Sequence, residues 1–277
     1  MKTRNLLLLA VVALFAACTD LEEELRDSIT AEEFAELQDV ESLLQGSYEG
    51  LRTPYMDQSR FWAAQTHTSD EGIGPTRGPD WDDNGVWRVL HDHTWAADHS
   101  FLQNTFDEIL QIVFSTTNLL QFNPTPQQEA EARYLRAFAM FSIADGWDQV
   151  PFRQPGDNLL EPARVISGPE AIDFVISELN EVIADLPDGP ANVANKDAAR
   201  VLLMKAHLNK GAFANRENPT FDKADKDQVI TLANEIINSG KYSLSEGIAY
   251  FDNFAPNNDQ ISTENIWTAL NEGGVAS

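Results

Sequence analysis

Apolar residues recur at intervals of three and four through one segment after another of this chain, and prolines or glycines punctuate the runs. That period buries one face of a helix and does not suit a half-buried strand, whose side chains alternate. In the first run Phe34, Leu37, Val40, Leu44, Tyr48 and Leu51 share a face behind a capping box of Thr30 and Glu33, and Pro54 is expected to close it. The run FLQNTFDEILQIVFSTTNLLQF, residues 101–122, repeats the pattern, with Pro124 and Pro126 at the turn that follows. In EARYLRAFAMFSIADGWDQVPF, residues 131–152, Tyr134, Phe138, Phe141 and Asp145 fall on one face, and alanines at 132, 137, 139 and 144 admit a neighbouring helix. Gly146 is expected to end this helix, with Val150, Pro151 and Phe152 leaving in extended form. Residues 169–186 open on a proline in a favoured first-turn position and stop before Pro187; residues 195–210 are expected to end at Gly211, and residues 225–239 at Gly240. Short connections make such helices antiparallel neighbours. The expected fold is mainly all-α, built of tetratricopeptide-like helical hairpins with no consensus repeat.

One stretch departs from the pattern. Residues 61–100, FWAAQTHTSDEGIGPTRGPDWDDNGVWRVLHDHTWAADHS, read as a long irregular insertion loop. They hold four of the six tryptophans and four of the five histidines, a concentration that marks a binding segment rather than a spacer. Trp81, Trp87 and Trp95, interleaved with Arg77, Asp82, Asn84 and His91, offer aromatic platforms edged by polar groups, which is what a sugar ring requires. The alternative is that the same indoles pin the loop to the helical body. Asp80, Asp82, Asn84 and Gly85 match the first positions of a calcium loop, but His91 stands where the bidentate glutamate belongs, so calcium competes with a plain acidic turn. His91 and His93, with His99 nearby, could pair on a transition metal, though no cysteine or spaced carboxylate completes the set. The adjacent acids of Ser69-Asp70-Glu71 do not make the opposed pair that glycoside hydrolysis uses, and no Gly-x-Ser-x-Gly, phosphate-loop or HExxH phrase occurs. No catalytic residue and no cofactor are assigned.

The N-terminus bears on compartment. Lys2 and Arg4 precede an apolar stretch from Leu6 to Phe15, then Ala16 and Ala17 lead to Cys18, the only cysteine. Residues 1–17 read as a signal peptide, too short for a stable membrane span. A lone cysteine in an exported chain has no disulfide partner within it, and its place after small residues makes Cys18 a lipidation site. Residues 18–29 are an acidic tether. A net charge of −25 repels phosphates, which speaks against nucleic acid as a partner.

Taken in order, these phrases resemble the SusD/RagB family of nutrient-binding outer-membrane lipoproteins. The helix EARYLRAFAMFSIADGWDQVPF is similar to the family's hallmark helix, which runs from an acidic-Ala-Arg start through aromatics to a Gly-aromatic-x-x-Val-Pro ending. Around it stand Cys18, LLQGSYEGL at 43–51, TSDEG at 68–72, FDEIL at 106–110 with Asn118 downstream, NKDAARVLLMKAHLNKG at 195–211, and ENIWTAL ending at Leu270, where the family opens a strand. The resemblance implies an N-terminal helical domain over 30–260, with 261–277 beginning a C-terminal region of which the rest is absent. It implies a lipid-anchored protein at the outer membrane, facing the cell exterior. Such a protein captures oligosaccharides, or sometimes peptides, and acts as a lid on a SusC-like TonB-dependent transporter without chemistry of its own. A lipid-anchored scaffold for protein partners and a secreted carbohydrate-active enzyme are the alternatives.

Overall fold

The computed structural model describes residues 38–74 and 83–270, and the body that begins at Asp39 is the subject below. The expected signal peptide, Cys18, the expected tether and the expected Thr30/Glu33 box lie outside the described residues, as do Arg77, Asp80, Trp81 and Asp82.

Helix α1, Val40–Glu49, starts where the Asp39 carboxylate accepts from the Ser42 backbone N–H, 3.3 Å away. Helix α2, Arg52–Met56, follows at once and takes Pro54 into its first turn, so Pro54 opens an element instead of closing one. The reason is that proline lacks a donor that the first turn does not need. Helix α3, Phe61–His67, a 3-10 turn, Asp83–Gly85, and helix α4, Val86–His91, give the supposedly irregular segment regular pieces. They are too short for a period to show.

Four long helices follow, then a fifth. Helix α5, Ser100–Leu119, packs on α6, Pro126–Trp147; α6 packs on α7, Gly168–Val182; α7 on α8, Lys196–Ala214; and α8 on α9, Lys223–Asn238. A short α10, Asn258–Ile261, comes last among the described residues. This succession of antiparallel neighbours is the tetratricopeptide-like arrangement. Two starts follow the same rule: Thr125 with Gln128, and Ser167 with Glu170, each form a capping box ahead of a proline in the first turn. The core lies between these helices, with Leu135, Met140, Ile143, Ile172, Leu179 and Leu203 fully buried. Helix α1 lies on α5 and α6, and the Tyr48 hydroxyl binds two distant parts of the chain. It donates to the Glu131 carboxylate on α6 (2.6 Å) and accepts from the Ala194 backbone N–H (2.9 Å).

Two glycines expected to stop helices do not. Helix α6 runs through Gly146 to Trp147, and Asp148 takes the left-handed conformation, φ 60°, at its end. Helix α8 runs through Gly211, where any Cβ would strike the carbonyl oxygen of Thr220, so this glycine permits a close crossing. Beyond Asp148, β1, Gln149–Phe152, pairs antiparallel with β2, Arg164–Ser167, in the register Gln149 to Ser167. Residues 264–270, expected as a strand, form none among the described residues. They lie along the helices instead, with Asn195 donating to Ile266 O (3.0 Å), Thr268 N donating to Ala191 O (2.9 Å), and Trp267 set against Tyr48, Tyr134 and Phe138. No helix among the described residues is long and apolar enough to cross a membrane.

Candidate functional site

The buried face of α3 is Ala63 and His67, one turn apart, with Phe61 beside it against Tyr55. Trp62, between Phe61 and Ala63, is 54% exposed. Inward from it a row of rings holds the segment together. The His67 ring stands 5.6 Å from Trp62 and 5.0 Å from Trp87, and Trp87 meets Phe101 of α5 edge-on at 4.6 Å. The Trp87 N–H donates to the Asp83 carboxylate at 2.8 Å.

Trp87 is therefore not a ligand platform. At 5% exposure its indole packs against the His67 and Phe101 rings and its only polar atom is committed, so it fastens α4 to α3 and α5. Trp95 is 39% exposed, with the His93 ring 5.5 Å away. His93 in turn sits 2.9 Å from the carbonyl of Thr68, the residue that ends α3. Two exposed indoles thus border one short helix, Trp62 near its start and Trp95 tied to its end. Asn84, exposed and left-handed at φ 58°, leads into α4. Gln65 of α3 donates to the Asp145 carboxylate, 3.3 Å away, and so ties α3 to the closing turn of α6.

Trp62 was invisible to sequence reasoning because seven residues of helix do not establish a face.

His93 places its Nε2 2.9 Å from the Thr68 carbonyl and His99 places its own 2.9 Å from Val86 O, contacts that orient the two rings and leave their Nδ1 atoms outside them. Among the described residues no three such side chains converge, and of the calcium-loop set Asp80, Asp82 and Asn84 only Asn84 is described.

Burial lowers the pKa of His67 from 6.5, and the neighbouring His91 adds to the effect. Below about pH 6.5 the unfolded chain takes up a proton that the folded ring resists, so this contribution to stability is complete above that value and declines as pH falls through it. Melting temperatures between pH 8 and 5 are expected to fall more steeply for the parent protein than for His67→Phe. Parallel curves for the two would refute the assignment.

No protein-family model matches this chain, and no curated protein does. Solved structures do match. A laminarin-binding SusD-like protein superposes with a TM-score of 0.65 and 16% identity, over 82% of this chain and 50% of its own. Surface glycan-binding protein A from Bacteroides uniformis gives 0.65 and 16%, over 82% and 51%. Surface glycan-binding protein A from Bacteroides thetaiotaomicron, solved with laminarihexaose, gives 0.62 and 14%, over 82% and 48%. The chain spans about half the length of these structures. Sequence identity this low carries the architecture and not the ligand, and the architecture is plain: the helical body of this chain has the SusD-like fold.

Proposed function

We propose that this chain is part of a SusD/RagB-family surface protein that captures oligosaccharides and hands them to a SusC-like TonB-dependent transporter. The observation that carries the proposal is the pair of exposed indoles, Trp62 and Trp95, at the two ends of α3 in a SusD-like body. An indole face left in water costs free energy, and a sugar's C–H face relieves that cost while its hydroxyls meet polar groups at the rim. Arg77, Trp81, Asp82 and Asn84 belong to the same segment and to the same proposal. Anchoring through Cys18 at the outer membrane, toward the cell exterior, is proposed from the leader that precedes it. No chemistry is assigned to the site.

The domain reading, with a helical domain over 30–260 and a C-terminal region from 261, belongs to the proposal as well. An exposed apolar surface supports it: Leu244, Ile248, Phe251 and Phe254 all face outward, and the 3-10 helix Gly247–Phe254 buries none of its residues. A patch of this kind marks a contact surface.

Calorimetry with laminarihexaose and a xyloglucan oligosaccharide tests the capture role. Trp62→Ala and Trp95→Ala are each expected to weaken binding about 3- to 10-fold with a near-native melting temperature, as the loss of one stacking contact requires. Trp87→Ala is expected to melt early instead. Unchanged affinity in the Trp62→Ala/Trp95→Ala double variant would defeat the platform. A parent protein that ignores every glycan favours the scaffold for protein partners, and one that shortens them favours the enzyme.

A further inference from the structure

A second concave site lies on the other side of α5's sequence pattern. Ile109, Ile112, Val113, Thr116 and Leu119 turn into the core, whereas Asp107, Gln111, Phe114, Asn118 and Gln121 form a separate stripe at intervals of three and four. Together with Pro151 and the β1–β2 connection, this stripe lines a groove of about 380 Å³. That volume is at the lower end of small-molecule sites and has room for one or two sugar rings. It shares no residue with the Trp62 and Trp95 platform.

The groove's wall is built before any ligand arrives. Arg153 donates to the carbonyls of Asn158 (2.9 Å) and Glu161, and the Asp157 carboxylate accepts from Gln154 N at 2.7 Å, which folds the connection into a rim. These groups are spent on the protein itself. Gln121 donates to Asn118 Oδ1 (3.3 Å), which leaves the Asn118 amide donors and the Gln121 carbonyl oxygen to other partners. Phe114, 43% exposed, supplies a flat apolar surface inside the concavity. An amide side chain offers donor and acceptor together, the complement of a ring hydroxyl. Among the lining residues two carboxylates, Asp107 and Asp157, face one cation, Arg153, so the groove carries a net negative charge that disfavours a carboxylated sugar.

We propose that this groove is a second saccharide subsite, selective for neutral sugar rings, with Phe114 as its platform and Gln111, Asn118 and Gln121 as its hydroxyl partners. The proposal rests on the capture reading above. It gives Asn118, downstream of the FDEIL phrase, a role that the first site does not use.

The test is calorimetry on the whole chain with a panel of neutral oligosaccharides, including laminarihexaose, beside a galacturonate oligomer of equal length. Phe114→Ala and Gln111→Ala are surface changes and are expected to keep the parent melting temperature. Each should weaken binding of the neutral oligomer about 3- to 10-fold. The Trp62→Ala/Trp95→Ala variant should keep a residual affinity that adding Phe114→Ala removes. If the parent binds neutral glycan and both groove variants bind equally well, the subsite is wrong while capture stands. If the galacturonate oligomer binds as tightly as the neutral one, the subsite is also wrong. If no neutral glycan binds the parent, the capture reading and the subsite fall together.

Discussion

Glu178→Leu is expected to destabilise the protein by about 3–5 kcal/mol, the cost of stranding a buried cation. Glu178 on α7 and Arg136 on α6 are both 4% exposed, and the carboxylate accepts from the Arg136 guanidinium. Arg136 has little else: a 3.4 Å contact to the Thr117 hydroxyl, and the rings of Phe152 and Phe174 at 5.9 and 5.4 Å. Arg133 also donates to Glu178, at 2.5 Å, but it keeps Glu129 and Glu181 as partners and loses less. The control is Arg136→Met/Glu178→Leu, which removes both charges and should regain most of the loss. Urea unfolding of the three proteins reads the difference. A single variant as stable as the parent would mean that water already reaches the pair.

Tyr134→Ala should cost a similar amount, about 3–5 kcal/mol, through lost burial and the cavity left behind. The ring is fully buried at the centre of α6, edge-on to Trp267 at 5.1 Å and stacked on Phe138 at 6.3 Å. Burial pushes its hydroxyl pKa well above 10, so the side chain is neutral at any pH of interest. The variant is also expected to free the 264–270 segment, seen as a loss of near-ultraviolet dichroism from Trp267 and faster cleavage there. Phe138→Ala, half-exposed on the next turn, should cost less. Equal losses at the two positions would show that the α6 face is buried otherwise than described.

The long helices were legible because their apolar period extends over several turns and their starts carry chemistry that acts locally. Ser167, Pro169 and Glu170 fix the beginning of α7 with no help from the rest of the chain. Helix ends were less legible. Gly146 has open space around it and simply continues the helix, while Gly211 is needed by Thr220, a neighbour that only tertiary structure supplies. The extended run at 150–152 was legible as β1, but its partner β2 was not, because four-residue strands depend on pairing across the 153–163 connection. The site was half legible. Its tryptophans stood out by composition, but which indole faced water was decided by packing: Trp87 met His67 and Phe101, and Trp62 met solvent on its outer face. The groove under Phe114 is made by two elements distant in sequence, and no single stretch announces it.

The Tyr48 hydroxyl has a consequence for the order in which the chain assembles. From α5 to α9 each helix finds its partner in the one just made, so a chain arriving N-terminus first can grow this stack by local steps. Helix α1 arrives earliest yet cannot finish: Tyr48 must wait for Glu131, 83 residues on, and for Ala194, 146 residues on. Its two bonds close only when α6 and the entry to α8 are both in place. A single phenol at the beginning of the body thus acts as a latch that registers the completion of its middle.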